Sequence, residues 1–362
     1  MTLHLATTRR TVLAGLAAAS GATVLPSPSW AAAGAPQWIA AAGEQGETFA
    51  LYGIATDGSL AFRVPLPGRG HAAAAHPERA EAVAFARRPG TFALVLDCVS
   101  GAVLYRLEAP AGRHFYGHGT FAEGGRVLVT TENAYEAGEG RLGLWDASAG
   151  YRRMGELASG GVGPHEVVTL PDGTLAVGNG GIRTHPDMGR EKLNLAVMRP
   201  SLVHLRPDGT VLEKVELDPA MRMASIRHLA ARADGTVAFA MQWEGPGGEI
   251  VPLLGLHRRG ERPKLLAAPD PEQGRLRGYA GSVAWSGDGA GVAITSPRGS
   301  VAHVFGADGS ALEVFARADI CGVASAPGGL AFSDGMGALH LPGGRTAIHP
   351  LAWDNHMIAL RD

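Results

Sequence analysis

Apolar stretches in this chain are short, and turn-forming dipeptides separate them along most of its length. Residues 170–177 (LPDGTLAV) show the unit, in which a Pro-Asp-Gly turn joins two short apolar runs. Asp-Gly pairs recur at 57–58, 172–173, 208–209, 234–235, 288–289, 308–309 and 334–335. Because Asp-Gly between β-prone runs is a strong hairpin signal, the pattern predicts repeated β-hairpins with type I′ turns.

A longer repeat lies above the hairpins. A polar or small residue followed by an apolar strand, a turn and a second apolar strand begins near Glu81, His118, His165, His228, Ser282, Cys321 and His356. The intervals are 37, 47, 63, 54, 39 and 35 residues. A four-stranded propeller blade takes roughly 40–50 residues. The sequence therefore predicts an all-β protein, a seven-bladed β-propeller of the WD40 or YVTN type.

The chain ends and one insertion complete this predicted propeller. The last start, at His356, leaves room for only one strand, so residues 37–64 would supply the rest of that blade and close the ring. The long interval after His165 contains an insertion at 180–200, within which 190–197 could form a short helix. No linker divides residues 34–362, which are therefore expected to form a single domain.

The first 33 residues have the composition of an export signal. Arg9 and Arg10 precede a mild apolar run, and small residues follow at 31–33. This order predicts a twin-arginine signal peptide over 1–33 and a periplasmic location. A periplasmic setting would permit a disulfide between Cys98 and Cys321, while two buried, inert thiols remain the alternative.

Composition narrows the functional classes. Apolar residues make up 46% of the chain, charged residues 18%, and the formal net charge is −2. These values exclude a disordered chain and a nucleic-acid binder with a basic face. Beyond the signal region no apolar run is long enough to span a bilayer, so an integral membrane protein is not expected. The 52 glycines agree with many tight turns.

Four of the seven blade starts carry a histidine: His118, His165, His228 and His356. The first strand of each propeller blade lines the central channel, so equivalent positions would form a ring at one mouth. Converging imidazoles could bind iron, copper or zinc, and iron and copper are the cofactors we consider. Contact with a ligand or substrate, and hydrogen bonding between adjacent blades, are the other two interpretations of the same pattern.

Polar residues accompany these histidines along the sequence and are further candidates for ligand binding. They are Glu132, Asn133, Glu166, Arg227 and Asn355. They could orient imidazoles or act as acids and bases, and capping of turns is the alternative. In the insertion, Arg183, His185 and Arg190 could contact an anionic group together with Arg298, or could simply form ion pairs within a solvated loop.

Several segments resemble a bacterial family of twin-arginine-exported periplasmic propellers whose function is unknown. The matching segments are 117–121 (GHGTF), 130–140 (TTENAYEAGEG), 163–166 (GPHE), 179–195 (NGGIRTHPDMGREKLNL), 198–202 (MRPSL), 226–229 (IRHL), 295–299 (TSPRG) and 353–356 (WDNH). Members are often encoded beside imelysin-like and di-haem oxidoreductase-like proteins. The resemblance implies a role in periplasmic iron handling with such partners, and no established reaction.

Three functional hypotheses follow. The first is a periplasmic propeller that binds a transition metal or metal-bearing ligand and assists iron acquisition. The second is a metal-dependent, lactonase-like hydrolase, for which Glu132, Asn133 and Glu166 would be candidates. The third is a non-catalytic scaffold for neighbouring proteins. The sequence does not decide whether the protein is an enzyme, because it offers no distinct acid–base pair.

Overall fold

The turn-separated apolar runs fold as neighbouring strands of antiparallel sheets. In the computed structural model, which describes residues 28–87 and 91–360, these strands form seven four-stranded sheets. The innermost strands of successive sheets contact one another around a central channel. The protein is thus an all-β, seven-bladed propeller in a single domain, as the repeat predicts.

In each blade the four strands lie side by side, with the first-named strand at the channel and the fourth at the outer edge. Blade A contains β28 (Ala352–Ala359), β1 (Trp38–Gly43), β2 (Phe49–Ile54) and β3 (Leu60–Leu66). Blade B contains β4 (Gly70–Ala75), β5 (Glu81–Ala86), β6 (Ala93–Asp97) and β7 (Val103–Leu107). Blade C contains β8 (Arg113–Ala122), β9 (Val127–Ala134), β10 (Glu139–Asp146) and β11 (Arg152–Ala158). Blade D contains β12 (Pro164–Thr169), β13 (Leu175–Asn179), β14 (Ser201–Leu205) and β15 (Val211–Glu216).

The remaining three blades follow the same order. Blade E contains β16 (Ala224–Ala231), β17 (Val237–Trp243), β18 (Leu254–His257) and β19 (Lys264–Leu266). Blade F contains β20 (Ser282–Trp285), β21 (Gly291–Ser296), β22 (Val301–Gly306) and β23 (Ala311–Ala316). Blade G contains β24 (Ile320–Ala326), β25 (Gly329–Asp334), β26 (Ala338–Leu341) and β27 (Arg345–Ile348). The α-helix within the described ranges, α1 (Asp270–Arg275), precedes blade F. Neither α1 nor any 3₁₀ helix in these ranges has the length and apolar character needed to cross a membrane.

The core lies between the blades. Second strands such as β9 and β21 are buried along their whole length, whereas outer strands such as β23 and β27 are mostly exposed. Phe239 of blade E is fully buried in a cluster that also contains Leu202 of blade D and Val292 of blade F. Truncating such a phenylalanine typically costs about 3–5 kcal/mol, so side chains between blades fix their positions around the axis.

The two ends of the chain meet in blade A. Strand β28 pairs antiparallel with β1, with Trp38 opposite Ala359 and Gly43 opposite Ala352. This pairing is the predicted closure of the ring, and it removes the open edge that a chain terminus would leave. Residues 361–362 lie outside the described ranges.

Three local predictions differ from the structure. In six of the seven Asp-Gly turns the glycine alone takes positive φ, as in Gly58 (φ 87°), so these turns are not type I′. The aspartate instead accepts a hydrogen bond from the N–H two residues later, as Asp57 does from Ser59 at 2.9 Å. Glu81 opens the second strand of blade B, not the first. The insertion holds a short 3₁₀ turn at Leu195–Val197 where a helix over 190–197 was predicted.

A segment ahead of β1 also belongs to the folded unit. Trp30 is 3% exposed, its Nε1 donates to the carbonyl oxygen of His76 at 2.8 Å, and its ring stacks on Phe62. The predicted signal boundary at residue 33 lies inside this packed segment. Residues 1–27 of the predicted signal peptide lie outside the described residues.

Both cysteines are buried free thiols, which agrees with the second of the two alternatives. Cys98 packs in a cluster with Trp30 and Leu96, whereas Cys321 packs in a different cluster with Trp353. Burial raises the pKa of each thiol to about 12. Neither thiol is therefore a reactive thiolate at neutral pH.

Candidate metal centre at the channel mouth

Irregularities in the innermost strands bring five histidines to one point near the channel mouth. The pairing register shifts at Gly70/Ala73 in β4, Phe115/Gly119 in β8, Pro164/Glu166 in β12, Ile226/His228 in β16 and before Met357 in β28. A histidine lies within or directly beside each shift: His71, His118, His165, His228 and His356. Bulges of this kind redirect side chains and are frequent next to functional sites.

The five rings are closely spaced across blades that are distant in sequence. Ring centroids are 4.8 Å apart for His71–His118, 4.9 Å for His118–His165 and 4.7 Å for His165–His228. His356 closes the group, at 4.6 Å from His228 and 4.7 Å from His71. The four histidines predicted from the blade starts therefore converge, and a fifth joins them.

The histidines form two overlapping sets of three. Within each set, one ring nitrogen from each histidine lies within 4.8 Å of the other two. The sets are His71, His118 and His356, and His118, His165 and His228. In the first set, Nε2 of His118 lies 3.2 Å from Nε2 of His71. Because metal–imidazole bonds are about 2.0–2.1 Å, two ligand nitrogens on one tetrahedral ion are roughly 3.3 Å apart. The observed spacing matches that requirement.

Glu166 connects two of these histidines from behind. Its Oε1 lies 3.5 Å from Nδ1 of His118, and its Oε2 lies 3.2 Å from Nδ1 of His228. Oε2 also accepts a hydrogen bond from the backbone N–H of Leu229 at 3.1 Å. With Nδ1–H directed to the carboxylate, each imidazole presents the lone pair of Nε2. Contacts with the two histidines lower the pKa of Glu166, which is therefore ionised.

Several imidazole nitrogens in the cluster have no hydrogen-bond partner in the described part of the chain. They are Nδ1 of His71, Nδ1 of His165 and Nε2 of His356. Burial, reinforced by neighbouring histidines, lowers the pKa of these three residues well below the ordinary value. The rings are consequently neutral at pH 7, which is the form that binds metals.

Two glycines allow the rings to approach so closely. Gly117 has φ 97°, and a Cβ there would lie 2.8 Å from Cδ2 of His71. A Cβ on Gly119 would lie 2.7 Å from the carbonyl oxygen of Val129. The Gly-His-Gly sequence around His118 is thus a packing requirement of the site.

A cavity of about 980 Å³ lies along the channel below the histidines. His118, His228, His356 and Glu166 line one end of it. Small side chains from the innermost strands, such as Ala284, line its walls. The cluster therefore separates this cavity from the mouth at which the innermost strands begin.

The other predicted site residues are placed differently. Glu132 is fully buried, and its carboxylate is held by both guanidinium nitrogens of Arg153 at 2.7 and 2.9 Å, within blade C. Asn133 donates to the backbone oxygen of Thr184 at 3.1 Å, which anchors the insertion to blade C. Neither residue contacts the histidines in these interactions.

In the insertion, Arg183 and His185 are both tied to Glu136 of blade C. Arg183 donates to the backbone oxygen of Glu136 at 2.9 Å, and Nε2 of His185 lies 3.3 Å from its carboxylate. These contacts give the two residues an anchoring role. Arg227, by contrast, directly precedes His228, and Asn355 directly precedes His356.

His71 is the functional candidate that the sequence pattern missed. It follows Gly70, as His118 follows Gly117, and it precedes His118 by 47 residues. The interval from His118 to His165 is also 47 residues. Extending that interval backwards would have located His71.

Solved structures similar to this chain share its fold at low sequence identity. Hydrazine synthase from Kuenenia stuttgartiensis superposes with a TM-score of 0.60 at 13% identity, over 84% of this chain and 90% of that one. Virginiamycin B lyase from Staphylococcus aureus gives 0.55 at 11% identity, over 80% and 86%. A streptogramin B lyase gives 0.56 at 12% identity, over 86% and 92%. At these identities the likeness extends to the fold alone.

The sequence comparisons give the family. No curated protein matches the chain in sequence. A family model described as "Protein of unknown function (DUF1513)" matches residues 64–360, which include all five histidines of the cluster and Glu166. The chain belongs to this family.

Proposed function

We propose that this protein binds a transition-metal ion, iron or copper, through the five histidines at the channel mouth. The observation that carries the proposal is the convergence of five imidazoles from five blades, with 3.2 Å between Nε2 of His71 and Nε2 of His118. Metal coordination would give converging imidazole nitrogens a common partner, and three nitrogens of the cluster have no hydrogen-bond partner within the described ranges.

Glu166 supports the same assignment. A carboxylate that accepts from Nδ1 of two imidazoles fixes their tautomer and orientation, as outer partners of metal-bound histidines commonly do. Its ionised form also places one negative charge beside the bound cation. Structural histidines that only link adjacent blades would not require one carboxylate to orient two rings toward the same point.

The donor set narrows the choice of metal. Nitrogen ligands suit copper, iron, zinc and nickel, and simple affinity favours Cu(II) among divalent ions. The metal held in the cell therefore depends on availability, and the resemblance to exported propellers points to periplasmic iron handling. We propose an accessory role in iron acquisition, in which the protein binds the ion or transfers it to imelysin-like or di-haem oxidoreductase-like partner proteins.

The decisive experiment is metal analysis of protein purified from its native compartment. Wild type is compared with a His165→Ala/His228→Ala variant and with a His204→Gln/His257→Gln control, which alters a buried histidine pair elsewhere. We expect about one equivalent or more of metal in wild type and control, and loss of it in the first variant. Equal, substoichiometric metal in all three proteins would refute the proposal.

The two rival functions receive less support. A lactonase-like site would place carboxylates around the ion, but Glu166 is the carboxylate that contacts the cluster within the described ranges, and Glu132 is neutralised by Arg153. A channel plugged by side chains would favour a non-catalytic scaffold, whereas here a cavity of about 980 Å³ leads to the histidines.

A further inference from the structure

We propose that the metal is bound together with an oxyanion, a carboxylate or phosphate group, which arginines at the mouth hold against the ion. This inference rests on the proposed function and identifies the class of ligand that completes the site. Arg87, Arg227 and Arg298 are the residues that would contact the anion.

The ligand set carries less negative charge than the metal ion carries positive charge. Imidazole is neutral when it binds a metal, so the histidines add no charge to the loaded centre, and the carboxylate that contacts them is that of Glu166. A divalent ion would leave the buried centre with one uncompensated positive charge, and a trivalent ion with two. Burying an uncompensated charge is costly, so an anionic ligand would stabilise the loaded centre.

Cations gather around the mouth and share its buried acids. The buried carboxylate of Asp354 is shared by Arg69 at 2.6 Å and Arg87 at 2.7 Å. The carboxylate of Glu244 is likewise shared by Lys192 and by Arg227, which lies 3.6 Å away. Each of these two carboxylates is shared by two cations, and Asp319 lies near Arg69 as a further acid.

These cations lie close to the histidines. Arg227 directly precedes His228, and Arg87 reaches Asp354, two residues before His356. Cations beside a cation site repel a bare metal ion, and an anion bound between the arginines and the ion offsets that repulsion.

Arg298 extends this positive rim. Its guanidinium lies 4.3 Å from the ring centroid of Tyr279, whose hydroxyl contacts Nδ2 of Asn355 at 3.4 Å. Asn355 in turn precedes His356. Among the described residues no acid forms an ion pair with Arg298, so its planar fork of N–H groups is available for a carboxylate or phosphate.

The test measures acetate and phosphate binding to copper-loaded protein by titration calorimetry, after gel filtration has established that copper stays bound. We compare wild type with Arg298→Gln, an exposed position, and with Arg87→Gln. Arg232→Gln is the matched control, because Arg232 stacks on Trp285 in the same way but lines the cavity on the other side of the histidines.

We expect metal-dependent anion binding that weakens at least about tenfold in Arg298→Gln and Arg87→Gln, and not in Arg232→Gln. If acetate binds more tightly than phosphate, the ligand group is a carboxylate; if phosphate binds more tightly, it is a phosphate. By linkage, the anion should raise the protein's affinity for copper by the same factor by which copper raises the protein's affinity for the anion. Copper binding with no anion dependence, or equal anion binding in all variants, overturns this inference alone. Absence of metal binding overturns the proposed function as well.

Discussion

Histidines recur in the third strands of the blades as well as in the innermost strands, but the two sets are arranged differently. Third strands β14, β18, β22 and β26 carry His204, His257, His303 and His340. His204 and His257 meet as a pair at 3.0 Å, and His340 binds Asp334 of its own blade at 2.9 Å. The five inner histidines instead form one cluster.

Distance from the propeller axis explains the difference. Innermost strands of all blades approach the same channel, so equivalent side chains can meet across it. Third strands of neighbouring blades diverge, so a side chain there can reach one neighbour at most. The same residue type in the same repeat therefore forms a multidentate site near the axis and isolated contacts further out.

The largest expected effect is a difference in metal affinity between variants of the inner histidines and variants of the third-strand histidines. His118 belongs to both sets of three converging histidines. We expect His118→Ala to weaken metal binding by more than the roughly 10–100-fold that loss of an outer partner typically causes. His204→Ala should leave it unchanged. Competition titration with a coloured chelator measures both, and similar affinities in the two variants would contradict the distinction.

A smaller loss is expected when the ligands stay and only their orienting carboxylate changes. Glu166→Gln removes the negative charge that accepts from Nδ1 of His118 and His228, so metal affinity should fall about 10–100-fold. The control is Glu213→Gln, because Glu213 lies 3.7 Å from Nε2 of His257 in the outer pair. An unchanged affinity in Glu166→Gln would mean that the carboxylate does not orient the rings.

The architecture was predictable because it is encoded in a repeat. Turn dipeptides and apolar runs mark each blade, and closure follows from a final unit with room for one strand. Four inner histidines occupy equivalent repeat positions, so their convergence followed from the fold. His71 escaped because β4 reads GHAAAA, and small residues there do not form the expected apolar pattern.

Side-chain partners were less predictable than strand positions. Glu132 and Glu166 both follow a blade-start histidine in the sequence. Arg153 nevertheless neutralises Glu132, whereas two histidines contact Glu166. Arg87 and Asp354 are separated by 267 residues and meet only because the ring closes. Such pairings depend on packing between blades, which spacing along one chain does not determine.

Acid should destabilise the metal-free protein through both histidine sets. Burial lowers the pKa of His204 to about 4 and that of His165 well below its ordinary value. Unfolded imidazoles titrate near pH 6.5, so below that pH the unfolded state binds more protons and the free energy of unfolding falls. For His204 this loss continues until about pH 4.

Metal should distinguish the sets in the same experiment. A metal-bound imidazole stabilises the folded state by mass action, so loaded wild type should unfold at higher denaturant concentration at pH 7, and this gain should disappear as acid releases the ion. His204→Gln/His257→Gln should keep the metal-dependent gain, and His165→Ala/His228→Ala should lose it. Urea unfolding from pH 7.5 to 5 measures both, and a gain retained in the second variant would contradict the assignment.

The smallest expected effect concerns a third-strand histidine that forms no cluster. His303 is 1% exposed, and neither of its ring nitrogens has a hydrogen-bond partner within the described ranges. A buried unsatisfied polar group costs about 1–3 kcal/mol, and a change of side-chain shape usually costs less than about 1.5 kcal/mol. His303→Leu should therefore leave the free energy of unfolding unchanged or raise it by up to about 1 kcal/mol, without altering metal affinity. A loss of about 2 kcal/mol in urea unfolding would mean that His303 makes stabilising polar contacts. The third-strand and inner histidines would then differ less than their geometry indicates.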